Sequence, residues 1–205
     1  MDELEQVKRE DQLVADALRA AGTQVVSTQD LVNTNDQYTN AIPVLLEMLP
    51  KVSTYAMKKI IVRSLGVREA KGKAESLLIA LFETSLSDRS RDAETLRWII
   101  ANTFDILGGG RGVSESLLRL LADPRSGGSR QMLSLAVAKT KNRDAIPVLL
   151  DLINNDEFTG HVAEALGILR AAEATPKLKE IAGSHKKPWV RRQAKTALRR
   201  LGEAE

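Results

Sequence analysis

Glu157, His161 and Glu164 stand at i, i+4 and i+7, a spacing that places three metal-binding residue types on one helix face. A competent metal centre draws three or four ligands from converging elements. The only other histidine, His185, lies in a different part of the chain with no partner at helical spacing. The triplet therefore reads as an ordinary solvated face. Ser184-His-Lys-Lys187 matches a Ser-x-x-Lys spacing that could activate a serine, but the companion motifs of that chemistry are missing. Gly108-Gly109-Gly110-Arg111-Gly112 has the composition of a phosphate-cradling loop. It lacks the Lys-Ser/Thr that follows in a P-loop and has no strand before it, so it reads as a helix stop and linker. The chain has no cysteine, which removes disulfides, thiolate metal sites and a cysteine nucleophile. No catalytic constellation emerges, and the sequence reads as a protein without enzymatic chemistry, metal or cofactor.

Charge offers a second kind of chemistry. The stretch KKPWVRRQAKTALRRLG crowds Lys186, Lys187, Arg191, Arg192, Lys195, Arg199 and Arg200 into a short span. Phosphate neutralisation by such a cluster is the basis of nucleic-acid binding. Against that stand a net charge of only +3, aromatics at 3%, and no basic stripe through the middle of the chain. Residues 1–40 carry three basic and eight acidic side chains, net −5, while 174–205 carry nine basic and three acidic, net +6. The molecule is expected to have an acidic end and a basic end.

Positioning these groups falls to a repeating element. AIPVLL occurs at 41–46 and again at 145–150. Similar phrases start at Ala74, Val113 and Ala174, which divides the chain into units 41–73, 74–112, 113–144, 145–173 and 174–202. Each unit reads as two helices. Pro43, Pro147 and Pro176 fall in the first turn of the first helix, where proline costs no intrahelical bond. Asn40 and Asp144 precede it and are expected to cap its free amides. Second helices carry apolar residues at helical spacing: Ile61, Val62 and Leu65; Leu96, Ile100, Thr103, Phe104 and Leu107; Val162, Ala165, Leu166 and Leu169; Val190, Ala194, Ala197, Leu198 and Leu201. One helix pair cannot bury its apolar stripe alone, whereas stacked pairs cover one another. The hexamer recurs because each unit faces the same packing problem. Residues 1–40 fit no unit, and Leu4, Val7, Leu13, Val14, Ala17 and Leu18 predict an amphipathic helix ending before Gly22, an N-terminal cap on the first repeat. The fold class is all-α: an α-solenoid of about five helical hairpins with an N-terminal helical cap.

The AxPxLLxLL phrase followed by WVRRQAKTALRRLG resembles HEAT-type repeats, especially the short class of phycobilisome-lyase-like proteins, over roughly residues 41–202. The resemblance implies a solenoid whose second helices line a concave binding face, in a family composed mostly of scaffolds and adaptors. It also implies two other roles: a nucleic-acid binder akin to HEAT-like DNA glycosylases, sketched by Trp98, Asp105 and the C-terminal arginines, or a bilin-lyase-like chaperone subunit. The hydroxylase branch of these families uses His-Glu pairs, and this sequence has no His-Glu dipeptide.

On this register the partner-binding face carries Lys59, Arg63, Trp98, Asn102, Arg192, Lys195 and Arg199. Between its charged ends lie Ser134, Ala138, Ala163 and Gly167, expected to form an open floor of small residues. Trp98 either anchors a partner or packs beneath an adjacent repeat. The expected partner is a protein or peptide, acidic where it meets the lysines and arginines, with nucleic acid as the alternative. No apolar run reaches the roughly 20 residues of a membrane span, and MDELEQVKRE lacks the apolar core of a signal peptide. A cytoplasmic location is the expectation.

Overall fold

The computed structural model describes residues 2–109 and 112–203. Among them are twelve α-helices and no strand. They are α1 (Glu3–Ala20), α2 (Asp30–Asn33), α3 (Ala41–Met48), α4 (Tyr55–Ser64), α5 (Glu75–Ser85), α6 (Arg91–Leu107), α7 (Ser114–Ala122), α8 (Arg130–Lys139), α9 (Ala145–Leu152), α10 (Thr159–Ile168), α11 (Thr175–Ser184) and α12 (Pro188–Arg200). Within the units, α5 packs on α6, α7 on α8, α9 on α10 and α11 on α12 as consecutive pairs, the all-α pattern of helical repeats. The chain forms two compact units, Met1–Leu107 and Gly108–Glu205.

The duplicated phrase does the same work twice. In α3, Ala41, Ile42, Leu45 and Met48 are buried, and in α9 so are Ala145, Ile146, Leu149 and Leu152. Pro43 and Pro147 face solvent within the first turn. Asn40 and Asp144 do not act as caps. Both already have helical dihedrals and make no side-chain capping bond. The amides of Ala41 and Ile42 donate instead to the carbonyls of Tyr38 and Thr39, and those of Ala145 and Ile146 to Asn142 and Arg143. A preceding turn thus satisfies the amides that a cap would otherwise take.

In the first unit, α1 packs on α3 and α4, and α6 packs on α4 and α5. Val14, Ala15 and Leu18 of α1 are fully buried. The expected apolar stripe is corrected at two positions, since Leu4 and Leu13 are 59% and 54% exposed. Its buried centre is a carboxylate, Glu10, at 5% exposure. Glu10 Oε1 accepts from Ser53 N (2.8 Å), Ser53 Oγ (2.7 Å) and Gln6 Nε2 (3.0 Å), and Oε2 from Thr54 N (3.1 Å) and Thr54 Oγ1 (2.6 Å). Thr54 is the N-cap of α4, and its Oγ1 in turn accepts from Met57 N. Burial pushes the Glu10 carboxyl up, and the bonds from Thr54, Ser53 and Gln6 outweigh it, holding the group at about 2. Tyr38 ties the segment before α3 to the end of α4 by donating to Ser64 O (2.9 Å).

In the second unit, α7/α8, α9/α10 and α11/α12 are successive hairpins, with α8 against α10 and α10 against α12. The contact between α10 and α12 is close because residue 167 has no side chain. A Cβ there would lie 2.7 Å from both Cα and Cβ of Ala197. Val162, Ala165 and Leu166 of α10 and Val190, Ala194, Ala197 and Leu198 of α12 are buried, so both apolar stripes pack as their spacing requires. Each large aliphatic side chain so covered contributes about 1.5–3 kcal/mol.

Helix ends differ in their chemistry. Gly108 and Gly202, just past α6 and α12, take positive φ of 73° and 80°. After α8 and α10 the same left-handed position falls to Lys141 (φ 62°) and Arg170 (φ 51°). Ala171 N still closes the turn onto Leu166 O at 3.0 Å. A side chain in that region carries a cost that glycine avoids.

Candidate binding faces

In the first unit, α4 contributes Lys59 and Arg63, and α6 contributes Trp98 and Asn102. Lys59 does not await an outside carboxylate, because its Nζ lies 2.6 Å from Asp92 Oδ1 on α6. Its side chain is only 19% exposed. Arg63 is exposed and makes no ion pair among the described residues. Trp98 is 41% exposed and Asn102 half-buried. Beside Lys59, the Tyr55 hydroxyl donates to Asp88 Oδ2 at 2.6 Å. Burial, then the bond to that carboxylate, pushes the phenol up to about 12. The bond from Tyr55, then the amide of Ser90, holds Asp88 below the usual carboxylate range. Arg97, 3% exposed, donates to the carbonyls of Ser85 and Asp88, at the end of α5 and in the following turn. Thirty-odd residues separate these partners from α4, and no spacing rule connects them.

In the second unit the expected floor of small residues is corrected. Ser134, Ala138 and Ala163 are fully buried and Gly167 is buried against Ala197. These small side chains let neighbouring second helices approach one another, leaving nothing for a partner to lie on. Ala101 of α6 is likewise buried.

What remains open is the outer face of α12. Arg192, Lys195 and Arg199 are exposed along it. The rest of the basic stretch is largely engaged. Lys177 pairs with Glu180 (2.9 Å), Lys179 with Glu203 (2.6 Å) and Lys186 with Asp156 (2.5 Å). Lys187 Nζ donates to Asp156 O (3.3 Å) and Arg191 Nη1 to His185 O (2.6 Å). The bond from Lys186 holds Asp156 below the usual carboxylate range. The two contacts to Asp156 fasten the turn before α12 to the turn before α10. By contrast, Arg192 makes no ion pair among the described residues, and Arg199 makes one bond, to Thr196 Oγ1 (3.0 Å). Trp189 shares this helix and is 37% exposed. Sequence reasoning omitted it, although its position three residues before Arg192 placed it on the same face.

The chemical candidates dissolve in the structure. Glu157 lies in the turn before α10 and does not share its helix face with His161 and Glu164. His161 instead meets the Trp189 ring edge-on, centroids 5.6 Å apart. No group of three metal-ligating side chains converges among the described residues. Ser184 Oγ donates to Glu180 O at 2.8 Å within its own helix, while Lys187 reaches Asp156 O. In the glycine stretch, Gly110 and Arg111 lie outside the described residues. Gly109 packs so closely on α8 that a Cβ would fall 2.6 Å from Ala136 O. A cleft of about 640 Å³ lies in the 22–40 segment. Two of its lining residues are engaged elsewhere, Asp30 accepting from Val26 N (2.7 Å) and Ser27 N (3.0 Å) and Tyr38 donating to Ser64 O at the end of α4. No helix among the described residues is long and apolar enough to cross a membrane.

The family model of HEAT repeats matches residues 114–199, the span from α7 to the last turn of α12. No curated protein and no solved structure matches the chain.

Proposed function

We propose that this HEAT-repeat protein is a cytoplasmic adaptor that binds another protein through the outer face of α12 and carries out no chemistry of its own. HEAT repeats generally serve as protein-interaction scaffolds, and helical repeats offer extended side-chain rows to a partner. The observation that carries the reading is the unequal use of charge. Around the α12 turn Lys186 is held by the Asp156 carboxylate and Lys187 and Arg191 by backbone carbonyls, whereas Arg192 and Arg199 extend into solvent with no carboxylate among the described residues. An acidic segment lying along α12 supplies those carboxylates. Such complementarity sets partner choice and association rate.

Nucleic acid is the alternative occupant, favoured by the net +6 of residues 174–205. A duplex would need phosphate contacts along its length, and three of the nine cations there are already paired to carboxylates of this chain. The test is fluorescence anisotropy with a labelled glutamate-rich helical peptide and a labelled DNA duplex at physiological salt. The peptide is expected to bind, and Arg192→Glu with Arg199→Glu to weaken it at least about tenfold. Sub-micromolar duplex binding that survives that salt would reverse the assignment.

A further inference from the structure

We infer that Trp189 is the apolar anchor of the α12 face, so that the partner segment carries a bulky apolar side chain among its acidic residues. This rests on the reading of α12 as a protein-binding face and adds what that face selects.

The indole occupies a seat built by a neighbouring helix. A Cβ on Gly160 of α10 would lie 2.0 Å from Cζ3, 2.1 Å from Cη2 and 3.0 Å from Cε3 of Trp189. The benzo edge of the ring therefore rests directly on the α10 backbone, in a notch that only glycine leaves open. His161, the next residue, meets the ring at an interplanar angle of 65°. Held at one edge and flanked by an imidazole, the ring is fixed in place, yet 37% of the residue is still exposed. Burial by the protein's own packing is incomplete, which is the condition in which a large aromatic gains most from a partner.

The polar end of the ring is also unused. The pyrrole edge lies at the far end of the indole from Gly160, and no group among the described residues accepts from its Nε1–H. Arg192, Thr196 and Arg199 follow Trp189 at +3, +7 and +10, which places them on one side of α12. An apolar surface with one N–H donor, continued by two arginines, reads an apolar side chain beside carboxylates. A polyanion with no apolar group would use the arginines and leave the ring uncovered. Because the ring is already oriented, little side-chain entropy is lost when a partner covers it.

The probes are two fluorescein-labelled 16-residue glutamate-rich helical peptides, one with leucine at every fourth position and one with alanine there, and a 16-nucleotide oligothymidylate. The leucine peptide is expected to bind about tenfold more tightly than the alanine peptide. Trp189→Ala is expected to erase that preference while leaving residual charge-driven binding. Gly160→Ala, which keeps the indole but pushes it from its seat, should do the same. A readout that leaves the ring edge against Gly160 unsubstituted comes from 7-fluorotryptophan-labelled protein, whose fluorine sits on Cζ2. Its Trp189 fluorine signal, assigned by its loss in Trp189→Phe, is expected to shift on saturation with the leucine peptide. A preference that persists in Trp189→Ala overturns the anchor, as does a Trp189 signal that does not move. If Arg192→Glu with Arg199→Glu still abolishes binding in that case, the α12 reading stands alone. Binding of neither peptide removes both. Tighter binding of the oligothymidylate with a shift of the same signal overturns the anchor in favour of base stacking.

Discussion

Glu10 Oε2 lies 2.6 Å from Thr54 Oγ1, joining the N-terminal helix to the first turn of α4 across forty-four positions of sequence. Both carboxylate oxygens are used, and the backbone amides at the start of α4 find in Glu10 the acceptors they would otherwise lack. The contact also places a negative charge at the positive end of a helix.

Glu10 therefore makes stability depend on acid. Its folded pKa, about 2, is lowered from 4.5, so the stabilisation is fully present above the unfolded value. It is lost as pH falls from about 5 toward 2, and amounts to about 3 kcal/mol at most. Glu10→Gln is expected to lower stability at pH 7 and to flatten the decline between pH 5 and 2. Urea denaturation at stepped pH measures both, and an unchanged pH slope in Glu10→Gln would show that the carboxylate is not the group responsible.

Two glycines in helices should respond in opposite directions to the same change. Gly167→Ala forces a methyl group to within 2.7 Å of the Ala197 backbone, and neither helix can yield locally. A net loss of about 1–3 kcal/mol is expected, despite alanine's better helix propensity. Gly183→Ala, at an exposed position of α11 with nothing within 4 Å, should gain about 0.5–1 kcal/mol. Thermal melts of the two variants should move apart. A stabilised Gly167→Ala would mean that α10 and α12 separate freely.

Arg170 pays for a left-handed backbone that glycine holds after α6 and α12. Arg170→Gly is expected to raise stability by about 1 kcal/mol, and the same change at Lys141 to add a similar amount. Their side chains are exposed, so little packing is lost. Calorimetry that finds both variants destabilised would contradict the strain argument.

Removal of residues 1–40 should leave helices but expose the faces of α3 and α4 that α1 covers, and leave Ser53 and Thr54 without Glu10. Self-association in light scattering at high protein concentration is the expected consequence. A truncated chain that stayed monomeric and melted as the full one does would remove the capping role.

Because Lys59 is already paired with Asp92, Lys59→Ala is expected to change affinity for the acidic peptide by less than about twofold, where Arg192→Ala changes it several-fold. Equal losses in anisotropy titrations would show that both units meet the partner.

The helical hairpins and their buried stripes were legible in the sequence because they depend on local rules. Period 3.6 selects Val162, Ala165 and Leu166, proline at 43 and 147 is tolerated only in a first turn, and glycine at 108 and 202 permits a left-handed stop. Two copies of AIPVLL bury the same positions for that reason. Tertiary structure alone decided what covers the opposite faces. A small residue such as Gly167 or Ala138 has the same pattern whether it opens onto solvent or lets a neighbouring helix approach, and here packing closed both. A charged residue has no periodicity that reveals its partner. The pairing of Lys59 with Asp92, the burial of Glu10 and the freedom of Arg192 arise from which elements meet in space. The seat of Trp189 on Gly160 likewise required two helices to be brought within van der Waals contact, a relation that distance along the chain does not encode.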